Sequence, residues 1–257
     1  MSLRDAPLLY VFYDIHGLDA QREILESVLE LPVIEIEPHL PHERHGVVKY
    51  DAGGAILSLN LSTPGKFRAD ESDALVTVLG ADPDHDVEAR LAGRGRLKRR
   101  ADGLLFTDPS GHHFLIEPGD RPAVRELRLT VDDLDRSVAF YRDVLDLEPL
   151  SADGGGARYG AGGVPLVLVE GDRAADGRRL QRRTVLIVFY TADVDTLVAV
   201  MRQRGLAFAN RRAYFTDIGG SIRFEDPSGH RICLYQPSAE CLTWGSGPKV
   251  LDLVTVP

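Results

Sequence analysis

Two ionisable side chains two residues apart are the first candidates for chemistry: Glu126 and Arg128 in the alternating segment Glu126-Leu-Arg-Leu-Thr-Val131. A strand of period two places both on one face. Such a pair either neutralises itself or holds something that arrives, and burial would raise the carboxyl toward use as a base. His39, His42 and His45 crowd three imidazoles into seven residues, a density that suits metal binding or proton transfer. Pro38 and Pro41 break any helix that would align them, so a polar loop is expected instead. Cys233 and Cys241 are the only thiols, too few for a disulfide framework or a thiolate cage. Cys233 would need a base or cation beside it to act as a nucleophile, and an inert buried thiol is expected. The serines sit in turns or at helix starts, with no strained nucleophile elbow. Gly154-Gly-Gly156 precedes a strand rather than a helix, so it reads as a turn and not as a phosphate loop.

The elements that must position these residues announce themselves by repetition. Phe106-Thr-Asp-Pro-Ser-Gly-His112 recurs as Phe224-Glu-Asp-Pro-Ser-Gly-His230, six identities in seven at an offset of 118. In each copy the proline fixes φ, the glycine permits positive φ, and apolar runs flank the turn, which is the signature of a β-hairpin. Both following runs stop at proline, at Pro118 and Pro237, so each hairpin closes a half. The expected division is residues 1–120 and 121–257. In the second half, Glu126–Val131 is a strand, and Asp133 caps a helix carrying Val138, Phe140, Tyr141, Val144 and Leu145. Strands follow at Ala157–Tyr159 and Val164–Glu170. The pattern then restarts with a strand at Thr184–Tyr190, a helix at Asp193–Gly205 and the terminal hairpin. The first half repeats this, with strands at Leu8–Phe12, Gly46–Tyr50, Ala55–Leu61 and Ala74–Leu79, and helices at Leu18–Leu31 and Asp86–Gly93. Four βαβββ units result, an α+β chain built by tandem duplication.

With 30 Lys and Arg against 39 Asp and Glu the formal charge is −9, which argues against nucleic acid as a partner. No run approaches the roughly 18–20 apolar residues of a membrane span, and the first ten residues lack the form of a secretory signal, so no membrane association and a cytoplasmic location are expected. Only four of the 30 basic residues are lysines, Lys49, Lys66, Lys98 and Lys249, a bias that suits a GC-rich bacterial genome.

The stretch Leu129-Thr-Val-Asp-Asp-Leu-Asp-Arg-Ser-Val-Ala-Phe-Tyr-Arg-Asp-Val-Leu-Asp-Leu-Glu-Pro149, with the closing Asp226-Pro-Ser-Gly-His230 hairpin, resembles the vicinal oxygen chelate superfamily of glyoxalases, bleomycin- and fosfomycin-resistance proteins and extradiol dioxygenases. The resemblance implies that the two units of each half curl into a cup that holds a ligand or a divalent metal, and that Glu126 and Arg128 face inward. Its metal positions fall on Glu126, Leu186, Cys233 and Val167 in the second half, and on Tyr10, Ser58, about Val76 and Leu115 in the first. A hard divalent ion needs three or more His, Asp or Glu donors, so no metal or other cofactor is expected. A slip of one residue in register, turning Glu117 or Glu170 inward, is the route by which that count would fail. The second cup is expected to be lined by Glu126, Arg128, Val167, Leu186, Val188, Tyr190, Cys233 and Tyr235, with Trp244 from the tail, and the first by Tyr10, Phe12, Ser58 and Asn60. The implied function is metal-independent binding of a small antibiotic-like or polyketide-like molecule, with self-resistance by sequestration as its simplest form. The alternative is a lyase or isomerase with Glu126 as base, or an extradiol-dioxygenase-like enzyme on a small oxygenated or aromatic substrate. A monomer is expected, with a homodimer as the alternative.

Overall fold

The structure, a computed structural model, describes residues 3–4, 6–37, 46–61, 75–82, 86–151, 156–171 and 184–255. His39, His42 and His45 lie outside them.

Four βαβββ units follow one another. The first comprises β1 (Leu8–Ile15), α1 (Leu18–Arg22) continued as a π turn over Glu23–Val28, β2 (Val33–Glu37), β3 (Val47–Asp51) and β4 (Ile56–Leu61). The second comprises β5 (Leu75–Ala81), α2 (Val87–Leu91), β6 (Arg96–Arg100), β7 (Gly103–Thr107) and β8 (His113–Pro118). In the third, β9 (Ala123–Val131) leads into α3 (Leu134–Ala139), again continued as a π turn over Phe140–Val144, and then β10 (Pro149–Ser151), β11 (Gly156–Tyr159) and β12 (Leu166–Glu170). The fourth has β13 (Val185–Tyr190), α4 (Val194–Gln203), β14 (Tyr214–Thr216), β15 (Gly219–Glu225) and β16 (Arg231–Pro237). A short 3₁₀ turn, Cys241–Thr243, and α5 (Gly247–Thr255) complete the chain. The cap read from the sequence at Asp133 forms, and Asp86 and Asp193 cap their helices in the same way: each accepts a hydrogen bond from the backbone N–H three residues on.

The strands assemble into two eight-stranded mixed sheets, ordered β14-β15-β16-β13-β1-β4-β3-β2 and β10-β11-β12-β9-β5-β8-β7-β6. Units 1 and 4 therefore share the first sheet, and units 2 and 3 the second. This overturns the expectation that each half folds its own cup. The reason is the short connection between the halves. Only residues 119–122 separate β8 from β9, enough to cross over β5 and lie antiparallel on its free edge, but not enough to carry the third unit to another sheet. With β5 paired to β9, the first and last units complete the other sheet through the antiparallel seam of β1 and β13.

The duplicated turns join the two units of each half across the sheets. Ser110 Oγ accepts from His16 N at 3.1 Å, and Ser228 Oγ accepts from Asp132 N at 3.0 Å, at the exits of β1 and β9. The buried turn carboxylates reach the helices of their own halves: Asp108 accepts from Gln21, and Asp226 from Tyr141 Oη at 3.0 Å. His112 and His230 are buried turn residues, as expected, with their backbone N–H groups on these same carboxylates.

Period-two alternation then divides each sheet into two faces. Val11 and Tyr13 of β1, Ile187 and Phe189 of β13, and Ile232 and Leu234 of β16 join the main core with the helices. Tyr10, Leu186, Val188 and Cys233 point the other way, into a separate apolar cluster on the concave side of the first sheet. On the second sheet the corresponding concave cluster is Val76, Val78, Leu105 and Leu115.

Candidate functional site

The first cup contains a cavity of about 160 Å³ with mainly apolar walls. Tyr10 and Phe12 of β1, Leu186 and Val188 of β13, and Cys233 and Tyr235 of β16 form its floor, where three central strands present alternate residues to the same side. The Tyr10 ring lies 5.2 Å from Phe12 and 6.4 Å, edge-on, from Tyr235 between centroids, so the aromatic wall is continuous. The C-terminal segment closes the top: Val250 of α5 is buried in the concave cluster, with Leu242, Leu253 and Val254 packed against it.

A polar latch fixes that segment. Glu35 of β2 accepts from Lys49 Nζ at 2.8 Å through one oxygen and from the Ser246 backbone N–H at 2.6 Å through the other. Lys49 also donates to Glu37 at 3.1 Å, and Tyr10 Oη shares a hydrogen bond with Ser246 Oγ at 3.1 Å. Lys249 of α5 bridges Asp51 at 2.8 Å. Gly245 has φ +55°, and a Cβ there would stand 2.5 Å from the Glu35 carboxylate, so glycine is what allows the tail to come down on the latch. Burial pushes Glu35 up, but the hydrogen bond and charge of Lys49 outweigh it and hold the carboxyl below the ordinary glutamate range. Lys49 loses charge stability to burial and regains more from Glu35, so it stands above the ordinary lysine range. Burial pushes the Cys233 thiol up to about 11 against the opposing charge of Arg223, so the thiol is protonated at neutral pH. Tyr10 and Tyr235 are likewise raised by burial and stay protonated.

The second cup is built differently. Both oxygens of Glu126 are held by arginines, Oε1 by Arg128 Nε and Oε2 by Arg158 Nη1 at 2.8 Å. Arg128 continues to Asp102 and, at 3.2 Å, to Glu117. Burial tends to discharge Arg128, yet its hydrogen bonds to Glu126 and Asp102 leave the guanidinium more firmly charged than usual. Glu117 does face this cup, and burial raises its carboxyl despite the nearby Arg128. Glu126 and Arg128 thus neutralise each other within a network of charges.

Cross-half pairing decides which expected site residues meet. Tyr10, Leu186, Val188, Cys233, Tyr235 and Trp244 line one cavity, although Tyr10 was assigned to the other cup. Tyr190 packs against the same cluster beside the cavity. Ser58 and Asn60 lie on β4 of that sheet but off the cavity, Ser58 fully buried beside Phe12 and Lys49 in the ladder. Glu126, Arg128 and Val167 belong to the other cup, with Val167 and Arg128 paired across β12 and β9. Missed altogether were Glu35, Glu37, Lys49, Arg223 and Ser246. The alternation Val33-Ile-Glu-Ile-Glu37 was the available signal for the first two.

The superfamily's metal positions regroup in the same way, as Tyr10, Ser58, Leu186 and Cys233 in the first cup and Val76, Leu115, Glu126 and Val167 in the second. These positions offer one carboxylate and one protonated thiol, in different cups, and Glu117, which also faces the second cup, is tied with Glu126 to Arg128, so neither set fits a divalent ion that needs three converging donors. Among the described residues no three His, Cys, Asp or Glu side chains are grouped to hold one. Nor, among the described residues, is any helix long and apolar enough to cross a membrane.

Residues 123–234 match the family described as the Glyoxalase/Bleomycin resistance protein/Dioxygenase superfamily. The fold is similar to that of glyoxalase I from Zea mays, with a TM-score of 0.72 at 15% identity over 97% of this chain and 95% of that one. It is also similar to a provisionally assigned dioxygenase from Bacillus subtilis subsp. subtilis str. 168, with a TM-score of 0.66 at 15% identity over 98% of this chain and 96% of that one. At these identities the likeness speaks for the fold. No curated protein matches the chain in sequence.

Proposed function

Since residues 123–234 are a domain of the glyoxalase/bleomycin resistance/dioxygenase superfamily, in a chain of four βαβββ units, we propose that this protein binds a small ring-containing organic molecule in the first cup without a metal. The observation that carries the proposal is the aromatic and aliphatic cavity closed by the latched C-terminal segment. Enclosure by apolar walls with a few fixed polar groups is how proteins hold small organic ligands. A molecule of the antibiotic or polyketide kind, with flat rings and few charges, suits walls made by Tyr10, Phe12, Tyr235 and Trp244. Sequestration fits better than turnover. Glu126, the base of the enzymatic alternative, sits in the other cup with both oxygens on arginines.

The test is a thermal-shift screen of aromatic natural products on chelator-treated protein, followed by titration of the hits against Val188→Phe, which fills the cavity from its floor. Hits that survive chelator and lose at least tenfold in affinity in Val188→Phe are expected. Binding that requires added metal, or that is indifferent to Val188→Phe, would overturn the proposal.

A further inference from the structure

Arg223 stands apart from the other charges of the first cup. It lies on β15 directly opposite Cys233 of β16 and lines the cavity while remaining exposed at its mouth. The cavity's other cation, Lys49, is engaged by Glu35 and Glu37. Asp14, whose carboxyl senses Arg223, is bridged to Arg231 at 3.6 Å. Among the described residues no carboxylate stands within ion-pair distance of Arg223. Its contact inside the cup is the Cys233 thiol, a weak acceptor that stays protonated with its pKa pushed up to about 11, so no thiolate balances the guanidinium. A charged fork next to apolar walls gains most from a planar oxyanion, which it meets with two parallel hydrogen bonds.

Resting on the reading of the first cup as a ligand site, we infer that its ligand carries an acidic group, a carboxylate or a comparable oxyanion, which Arg223 takes at the mouth while the apolar body lies between Tyr10, Phe12, Val188 and Tyr235. Arg223 is then the specificity-determining residue of the site. It admits acids and discriminates against their neutral analogues.

Trp244, the chain's single tryptophan, lines this cavity, so its emission reports occupancy. The experiment titrates the full chain with a matched pair of probes, 4-phenylbutyrate and 4-phenyl-1-butanol, following Trp244 emission. The same titrations are run on Arg223→Met and Arg223→Lys, with thermal melts to confirm folding. The acid is expected to bind wild type at least tenfold more tightly than the alcohol, a difference typical of a charge-assisted contact. Arg223→Met should bring the two affinities to within about twofold, and Arg223→Lys should restore part of the preference. Equal affinities in wild type, or an acid preference that survives Arg223→Met, would overturn the anchor and leave the enclosing cavity standing. Silence of Trp244 toward both probes at millimolar concentration would overturn the cavity as a ligand site, and the anchor with it.

Discussion

Glu126 and Arg128 show how much a residue's role depends on the company its strand brings. On one strand of unknown surroundings, a carboxylate and a guanidinium two residues apart read equally as catalytic pair or structural pair. Arg158 from β11 takes the oxygen of Glu126 that Arg128 leaves, and Asp102 from the turn after β6 and Glu117 from β8 take the remaining arms of Arg128, so neither member of the pair is left uncommitted. Replacing Arg128 with Met would take the shared cation from Asp102 and Glu117 and leave Glu126 with Arg158 alone. Uncompensated charge at a buried site costs several kcal/mol, but 26% exposure of the Arg128 side chain and the reach of solvent reduce this to about 1–3 kcal/mol. Arg128→Met should therefore lower Tm by several degrees while ligand affinity in the first cup stays within twofold, measured by melts and by titration of any screening hit. A variant that melts as wild type yet loses binding would return the pair to the functional site.

The tail and β2 form the element-scale device: the strand supplies Glu35 and the tail lays Ser246 on it. Glu35 is lowered in the folded protein, so its contribution to holding the tail is complete above the ordinary glutamate pKa of about 4.3 and is lost as pH falls below that through the lowered value. Lys49 is raised, so its contribution is complete below the ordinary lysine pKa of about 10.4 and is lost as pH rises through the raised value. Ligand dissociation rates should be flat through neutral pH and accelerate below about pH 4. Glu35→Gln should dissociate faster at neutral pH and show a flattened acid limb, since Gln has no proton to gain there. An acid limb of wild-type steepness in Glu35→Gln would remove Glu35 from the latch. What was legible at this scale was local. Capping aspartates and Asp-Pro-Ser-Gly turns specify their own geometry within a few residues, and Asp133, Asp193, Asp108 and Asp226 behave accordingly. The strand Arg96-Leu-Lys-Arg-Arg100 was not legible, because an edge strand this charged carries no apolar alternation. The strand Val33–Glu37, half exposed, carried only a faint one.

At the scale of the whole molecule, the division of the cups could not be read from either half alone, since every strand pairs plausibly with its own neighbour until the length of the connection is considered. Residues 119–122 decide it. Two antiparallel seams then hold the halves together, β1 with β13 and β5 with β9, and Gly54 and Gly163 bring matching turns of the two halves into backbone contact, where a Cβ on Gly54 would come within 2.7 Å of the Gly163 carbonyl oxygen. A half on its own would expose one bare strand edge in each sheet, and exposed edges recruit other chains. Residues 121–257 alone are accordingly expected to dimerise or precipitate, because β9 and β13 lose their partners. Co-expressed with residues 1–120, they should copurify as a one-to-one complex with a single melt, since each half supplies the strand the other lacks. The intact chain closes both seams within itself and should run as a monomer in light scattering. A monomeric 121–257 fragment that melts cooperatively by itself would contradict the cross-half assembly, and with it the grouping of Tyr10 with Leu186, Val188, Cys233 and Tyr235 on which the ligand site depends.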